Sequence, residues 1–226
     1  MKNLNFSIGI LSWRGYDSLI NSLVSYKKNG LSSLSKHKFI YLPEYTKEGI
    51  EIAKKFNYKP ILAKENTGIL GGFKALAENM PSGPLLLLEN DLELIEAKET
   101  TYNQLKKSIE LLSNPQVIQI RLRSRKNPGD PFVGLQKYQK YWSNELYSKI
   151  QRFFRPHKAQ KLIGTSVYFL KDPVQRHPEQ IQGLSDGFYL GSSSVLNWAN
   201  LAILVDRNQY LEKIIKKAEV TRTNKT

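Results

Sequence analysis

Three carboxylates stand at alternate positions in Glu89-Asn90-Asp91-Leu92-Glu93, directly after the run Leu85 to Leu88. Four leucines with no polar alternation read as a central strand buried on both faces, so the acids lie where that strand leaves the core. Magnesium and manganese take oxygen ligands, and at nucleotide sites they share them between one or two carboxylates and the phosphates. On the turn after a strand, Asp91 can converge on such an ion with either Glu89 or Glu93. Charge developing on a departing diphosphate would be neutralised there, which is the need of a glycosyl transfer. The alternative is a solvated strand end, although Glu89 next to Leu88 is costly to place without a partner.

A second constellation is Asn66-Thr67-Gly68-Ile69-Leu70-Gly71-Gly72-Phe73-Lys74. Glycines between a strand and a helix let backbone approach a ligand, and a helix start offers free N–H groups to an anion. Lys74 adds a positive charge. Close helix packing accounts for Gly71 and Gly72 equally well.

The elements that must position these groups follow from periodicity. Strands are expected at 6–13, 38–42, 60–63 and 84–88. Helices are expected between them, with Leu19, Ile20, Leu23 and Val24 as the apolar face of the first and Thr46 capping the second. Such alternation predicts an α/β fold: a mixed, mostly parallel, Rossmann-like sheet flanked by helices, in a single domain spanning 1–226. Ligands of open α/β sheets bind at the carboxyl ends of the strands. Beyond residue 95 the expected elements are a helix over 96–112, strands at 117–120, 166–170 and 201–205, and a helix over 208–217 before a frayed tail. The segments 127–164 and 183–194 read as irregular.

The chain has no cysteine, which removes disulfides, thiolate zinc sites and thiol nucleophiles. His37, His157 and His177 lack zinc-ligand spacing. No apolar stretch approaches the ~20 residues of a membrane span, and the first residues lack the apolar core of a secretory signal, so a soluble cytoplasmic protein is expected. Thirty-four basic residues against 20 acidic ones give a formal charge of +14. Such a field favours phosphorylated substrates, polyanions or a peripheral contact with an anionic membrane surface.

Taken in order, Phe6-Ser7-Ile8-Gly9-Ile10-Leu11-Ser12-Trp13-Arg14, Phe39-Ile40-Tyr41-Leu42-Pro43-Glu44, Asn66-x-Gly68 and Leu85-Leu86-Leu87-Leu88-Glu89-Asn90-Asp91 resemble the nucleotide-binding half of GT-A-type glycosyltransferases. The likeness covers roughly residues 5–95 and leaves 96–226 as the acceptor-side half. It implies that Ser12 and Arg14 line the nucleotide pocket and that Glu44 meets the base or ribose. It further implies that Asn66, Gly68 and Lys74 border the diphosphate and sugar. Asp91 becomes the principal metal ligand, with Glu89 and Asn90 beside the donor. The family pattern has two aspartates where this chain has Glu89, Asp91 and Glu93. The implied cofactor is Mn2+ or Mg2+, and the implied donor a UDP-sugar in preference to a GDP-sugar. A glycan or glycoprotein would be the acceptor. A fainter similarity, carried by Arg14-Gly15-Tyr16-Asp17-Ser18-Leu19 and the acidic cluster, is to capsid glycosyltransferase domains of large DNA viruses.

On the acceptor side, Asp186 in Gly183-Leu184-Ser185-Asp186-Gly187 is the candidate general base of an inverting reaction, against an aspartate favoured by turn chemistry alone. Trp198 and Asn200 resemble an acceptor-side W-x-N segment, against core packing of Trp198. The same residues admit two other functions. A sugar nucleotidyltransferase normally has a glycine-rich basic loop after its first strand, which Leu11-Ser12-Trp13-Arg14-Gly15 is not. A nucleic-acid-binding module would use the aromatics and cations of 138–158, and charge alone supports it weakly.

Overall fold

The computed structural model describes residues 3–129, 133–196 and 198–223. The chain divides into two compact units, 1–122 together with 200–226, and 123–199. The first is an α/β unit. Its elements are β1 (Ser7–Leu11), α1 (Tyr16–Lys28), β2 (His37–Pro43), α2 (Lys47–Lys55), β3 (Lys59–Ala63), α3 (Gly68–Asn79), β4 (Pro84–Glu89), α4 (Lys98–Leu112) and β5 (Ile120–Arg121).

The sheet runs β3-β2-β1-β4-β8-β5, with β8 (Ile203–Asp206) supplied by the returning chain. Strands β1 to β4 are mutually parallel, and β8 is antiparallel to both its neighbours. The mostly parallel sheet is the expected one, and β4 is central and buried from Leu85 to Leu88. Phe39, Tyr41, Leu85, Leu87, Ile203 and Val205 share one core with Phe73 and Leu76 of α3. Ile8, Ile10, Ile40, Leu42, Leu86, Leu88 and Leu204 are also buried and alternate with them, so both faces are covered. Gly72 is needed for this seat, because a Cβ there would lie 2.5 Å from Leu11 Cδ1. After β8 come α9 (Arg207–Gln209), a π-helical turn (Tyr210–Ile215) and α10 (Lys216–Thr223).

The second unit departs from the sequence reading. Its segment 127–164, expected to be irregular, contains α5 (Val133–Trp142), α6 (Leu146–Phe154) and the start of α7 (Pro156–Ser166). Pro156 lies at the start of α7, where a missing N–H costs nothing, so it punctuates two helices instead of breaking one. The strand expected at 166–170 is the end of α7 and a turn, closed by Phe169 N–H donating to the Ser166 carbonyl at 2.9 Å. A short apolar run does not distinguish strand from buried helix end. The expected loop 183–194 contains part of a hairpin, β6 (Ile181–Gly183) with β7 (Tyr189–Gly191), which follows the short α8 (Pro173–Arg176). Tyr138, Tyr141, Leu162, Ile163, Leu170 and Val195 form this unit's own core. No helix among the described residues is long and apolar enough to cross a membrane.

Candidate functional site

In the first unit, β1 to β4 end on one edge of the sheet. The order β2-β1-β4 makes the β1/β4 junction the place where the chain switches direction of winding, the site at which open α/β sheets hold ligands. Glu89 pairs in register with Leu11 there. Ser12, Trp13, Arg14 and Gly15 follow β1, Glu44 follows β2, and Asn66 and Gly68 open α3.

Two non-glycine residues on this edge have left-handed backbone, Arg14 (φ 53°) and Glu44 (φ 49°). Such conformations cost free energy and concentrate at functional sites. Their side chains meet: Glu44 Oε2 accepts from Arg14 Nη2 at 3.3 Å and from Trp13 Nε1 at 2.9 Å. The Arg14 guanidinium also lies 5.3 Å from the centre of the Trp13 ring. Trp13 remains 48% exposed, leaving a fixed aromatic face open to water. The sequence reading missed Trp13; an indole directly after a buried strand was the available signal.

The segment carrying the acids is tied to α1 by a ladder of side chains. Ser22 Oγ donates to the Asn90 carbonyl at 2.9 Å, the Tyr26 hydroxyl to the Leu92 carbonyl, and Asn29 Nδ2 to the Leu94 carbonyl at 2.5 Å. Leu94 N–H donates back to Ser25 Oγ at 2.9 Å. Helical spacing i, i+3, i+4, i+7 lets Ser22, Ser25 and Tyr26 of α1 and its C-cap Asn29 reach one segment. The buried face of α1 is therefore Leu19, Ser22, Leu23, Ser25 and Tyr26, while Val24, expected inside, is 49% exposed. The Asn90 amide completes the tie, donating to the Gly15 carbonyl at 3.2 Å.

Asp91 and Glu93 are exposed and Glu89 is half-buried. Burial, with Asp91's charge as a second cause, raises the Glu89 pKa. The Tyr26 phenol is pushed up by burial first, then by Tyr58, with smaller contributions from Asp91 and Glu93. No cation pairs with Glu89, Asp91 or Glu93 among the described residues. Nor do those residues contain a cluster of three metal-binding side chains. Two carboxylates that repel, one of them half-buried and neither neutralised, fit a hard divalent ion completed by phosphate and water.

Other expected residues have different engagements. Ser12 is 1% exposed and its hydroxyl donates to the Arg14 carbonyl at 3.4 Å, so it holds the loop from inside. Lys74 pairs with Glu219 at 2.6 Å and with Glu78 at 3.9 Å, and a diphosphate would have to compete for it. Asn66 Oδ1 accepts from Gly68 N–H at 2.8 Å, which sets the left-handed Gly68 (φ 71°) at the start of α3. A Cβ on Gly68 would meet nothing within 4 Å, so this turn faces open space.

In the second unit, Asp186 (φ 59°) and Gly187 (φ 77°) form the hairpin turn between β6 and β7, which by itself explains an aspartate there. Trp198 belongs to this unit and is 38% exposed, while Asn200 begins the return to the first. Asn197 lies outside the described residues.

No protein-family model and no curated protein matches the sequence. Among solved structures, a mannosyltransferase from Pyrobaculum calidifontis in complex with GDP-Man and Mn2+ is similar with a TM-score of 0.44 and 10% identity. The alignment covers 73% of this chain and 53% of that one, so the chain spans about half the length of that protein. No link to a virus emerged. What this chain has of its own is an α/β sheet edge carrying a fixed aromatic face, a turn facing open space, and three carboxylates that pair with no cation among the described residues.

Proposed function

We propose that the chain is a metal-dependent glycosyltransferase that takes a sugar from a nucleoside-diphosphate donor, UDP- in preference to GDP-linked. The observation that carries this is the Glu89–Asp91 pair at the β1/β4 switch point, without a cation and tied in place by α1. Trp13 offers its face to the base, and Glu44 orients Trp13 while reading base or ribose. Gly68 and the first N–H groups of α3 approach the diphosphate. Asp91 would hold the cation together with Glu89 or Glu93, the half-buried Glu89 standing at the end of β4 beside Leu11. A divalent ion, when bound, would stabilise the charge developing on the leaving diphosphate. Asp186 as acceptor base, with Trp198 and Asn200 beside the acceptor glycan or glycoprotein, completes the reading.

Calorimetric titration of UDP and GDP with and without Mn2+ tests it. Mn2+ should tighten nucleotide binding in the native chain and not in Asp91→Asn. Binding that ignores the metal, or is unchanged by the substitution, would remove the proposal.

A further inference from the structure

Helix α6 is turned the opposite way from an ordinary surface helix. Its apolar residues Leu146, Tyr147, Ile150, Phe153 and Phe154 fall at i, i+1, i+4, i+7 and i+8, a single stripe. All five are exposed, with Leu146 at 74%, Phe153 at 80% and Phe154 at 75%. The face that packs onto the second unit is polar. Ser148 is buried and donates to the Lys140 carbonyl at 2.6 Å, and Arg152 donates to the Tyr141 carbonyl with its guanidinium 4.8 Å from the Trp142 ring centre. Phe153 and Phe154 contact one another edge to face at 5.4 Å. A folded unit that buries a serine and half-buries an arginine while leaving five large apolar side chains in water has a surface shaped for another phase or partner.

The surroundings select the occupant. Between 137 and 161 the chain has Lys137, Lys140, Lys149, Arg152, Arg155, Lys158 and Lys161 against Glu145 as the single acid. All of these cations except Arg152 are exposed. An apolar aromatic stripe bordered by cations is the pattern of a helix lying in the interface of an anionic bilayer, apolar side among the acyl chains and ammonium groups at the headgroups.

We infer that α6 is a peripheral membrane anchor that seats the second unit on an anionic lipid surface. The inference is independent of the glycosyl-transfer reading, because its test involves neither nucleotide nor metal. The full chain is floated with vesicles of phosphatidylcholine alone and of phosphatidylcholine mixed with phosphatidylglycerol. It should rise with the mixed vesicles and stay behind with the neutral ones. The double substitution Phe153→Ser, Phe154→Ser should lower the bound fraction roughly tenfold or more without changing the unfolding midpoint, since both rings lie in solvent. Lys158→Glu with Lys161→Glu should weaken binding and make what remains less salt-sensitive. Equal flotation of the phenylalanine variant would mean that net charge alone attracts the protein, and would overturn the assignment. A native chain that self-associates, ignores vesicles and becomes monomeric on the phenylalanine substitutions would overturn it in favour of a second copy of this chain.

Discussion

Replacing Tyr26 by Phe tests whether α1 holds the acidic segment. The ring is 1% exposed and the substitution keeps it, so packing is preserved and only the donor to the Leu92 carbonyl is lost. Burial pushes the phenol's pKa up from its ordinary value, so the hydroxyl is a neutral donor at neutral pH. Leaving a partly buried carbonyl unsatisfied costs about 1–3 kcal/mol. At roughly 2–4 °C per kcal/mol for a protein of this size, the calorimetric midpoint of the first unit should fall by about 2–12 °C. The segment would remain attached through Ser22, Ser25 and Asn29, so Mn2+-dependent nucleotide affinity should weaken several-fold without vanishing, and metal-free affinity should stay unchanged. Tyr58→Phe is the control: it removes a buried phenol whose contact with Ser32 is 3.4 Å long, and should cost less. An unchanged midpoint together with unchanged Mn2+-dependent affinity in Tyr26→Phe would refute the claim that the ladder positions the acids.

Gly164→Ala would put a Cβ 1.9 Å from the Val195 carbonyl oxygen and 2.8 Å from its carbon; backbone must move, so the ~1 kcal/mol gain in helix propensity should be outweighed and urea unfolding should show a net loss of about 1–3 kcal/mol. Stability at or above the native level would contradict this. His177 is buried, accepts from or donates to the Tyr138 hydroxyl at 2.8 Å, and has its pKa pushed down to about 4, by burial first and then by Arg176 and Arg152. The unfolded chain therefore binds more protons between about 6.5 and 4, so stability is fully present above that window and falls as pH drops through it. His177→Gln should flatten that slope in a pH series of unfolding midpoints. Trp13→Ala should weaken nucleotide binding roughly tenfold, since stacking of a base on an aromatic contributes about 1–3 kcal/mol, whereas Trp13→Phe should retain most of it. Equal affinity in the alanine variant would exclude Trp13 as the base platform.

The α/β half was legible because its periodicities are local and mutually consistent. Thr46 caps α2 through Gly49 N–H, as expected of its position, and the four leucines of β4 are buried at the sheet centre. Within the second unit, 123–199, local pattern misleads, whereas the expected strand at 201–205 and the helix over 208–217 are found as β8 and the helical turns after it. The apolar residues of α6 keep the spacing of a core-facing helix, yet the stripe faces solvent, and the aromatics of α5 are interleaved with lysines. Side-chain destinations were the least legible. Lys74 carries its charge close to a glycine turn, but its partner Glu219 is 145 residues away in sequence and the pairing leaves no local trace. Ser22, Ser25, Tyr26 and Asn29 were visible as a polar helical stripe beside Leu19 and Leu23. Hydroxyl and amide groups on the buried side of a helix need partners, and backbone of a neighbouring irregular segment is a common one.

That stripe also explains how the candidate site can exist before any ligand arrives. Keeping Glu89 beside Asp91 is unfavourable by itself, because both burial and the neighbouring charge oppose ionisation of Glu89. An unrestrained loop would relax by swinging the acids apart into water. Four hydrogen bonds between α1 and the 90–94 backbone contribute about 1 kcal/mol each, and the Asn90 amide fixes the neighbouring β1 loop to the same segment. Together they oppose that relaxation by several kcal/mol. A divalent cation of the kind proposed would meet carboxylates restrained near one another and relieve their repulsion, so the free energy of holding the acids together would reappear as affinity.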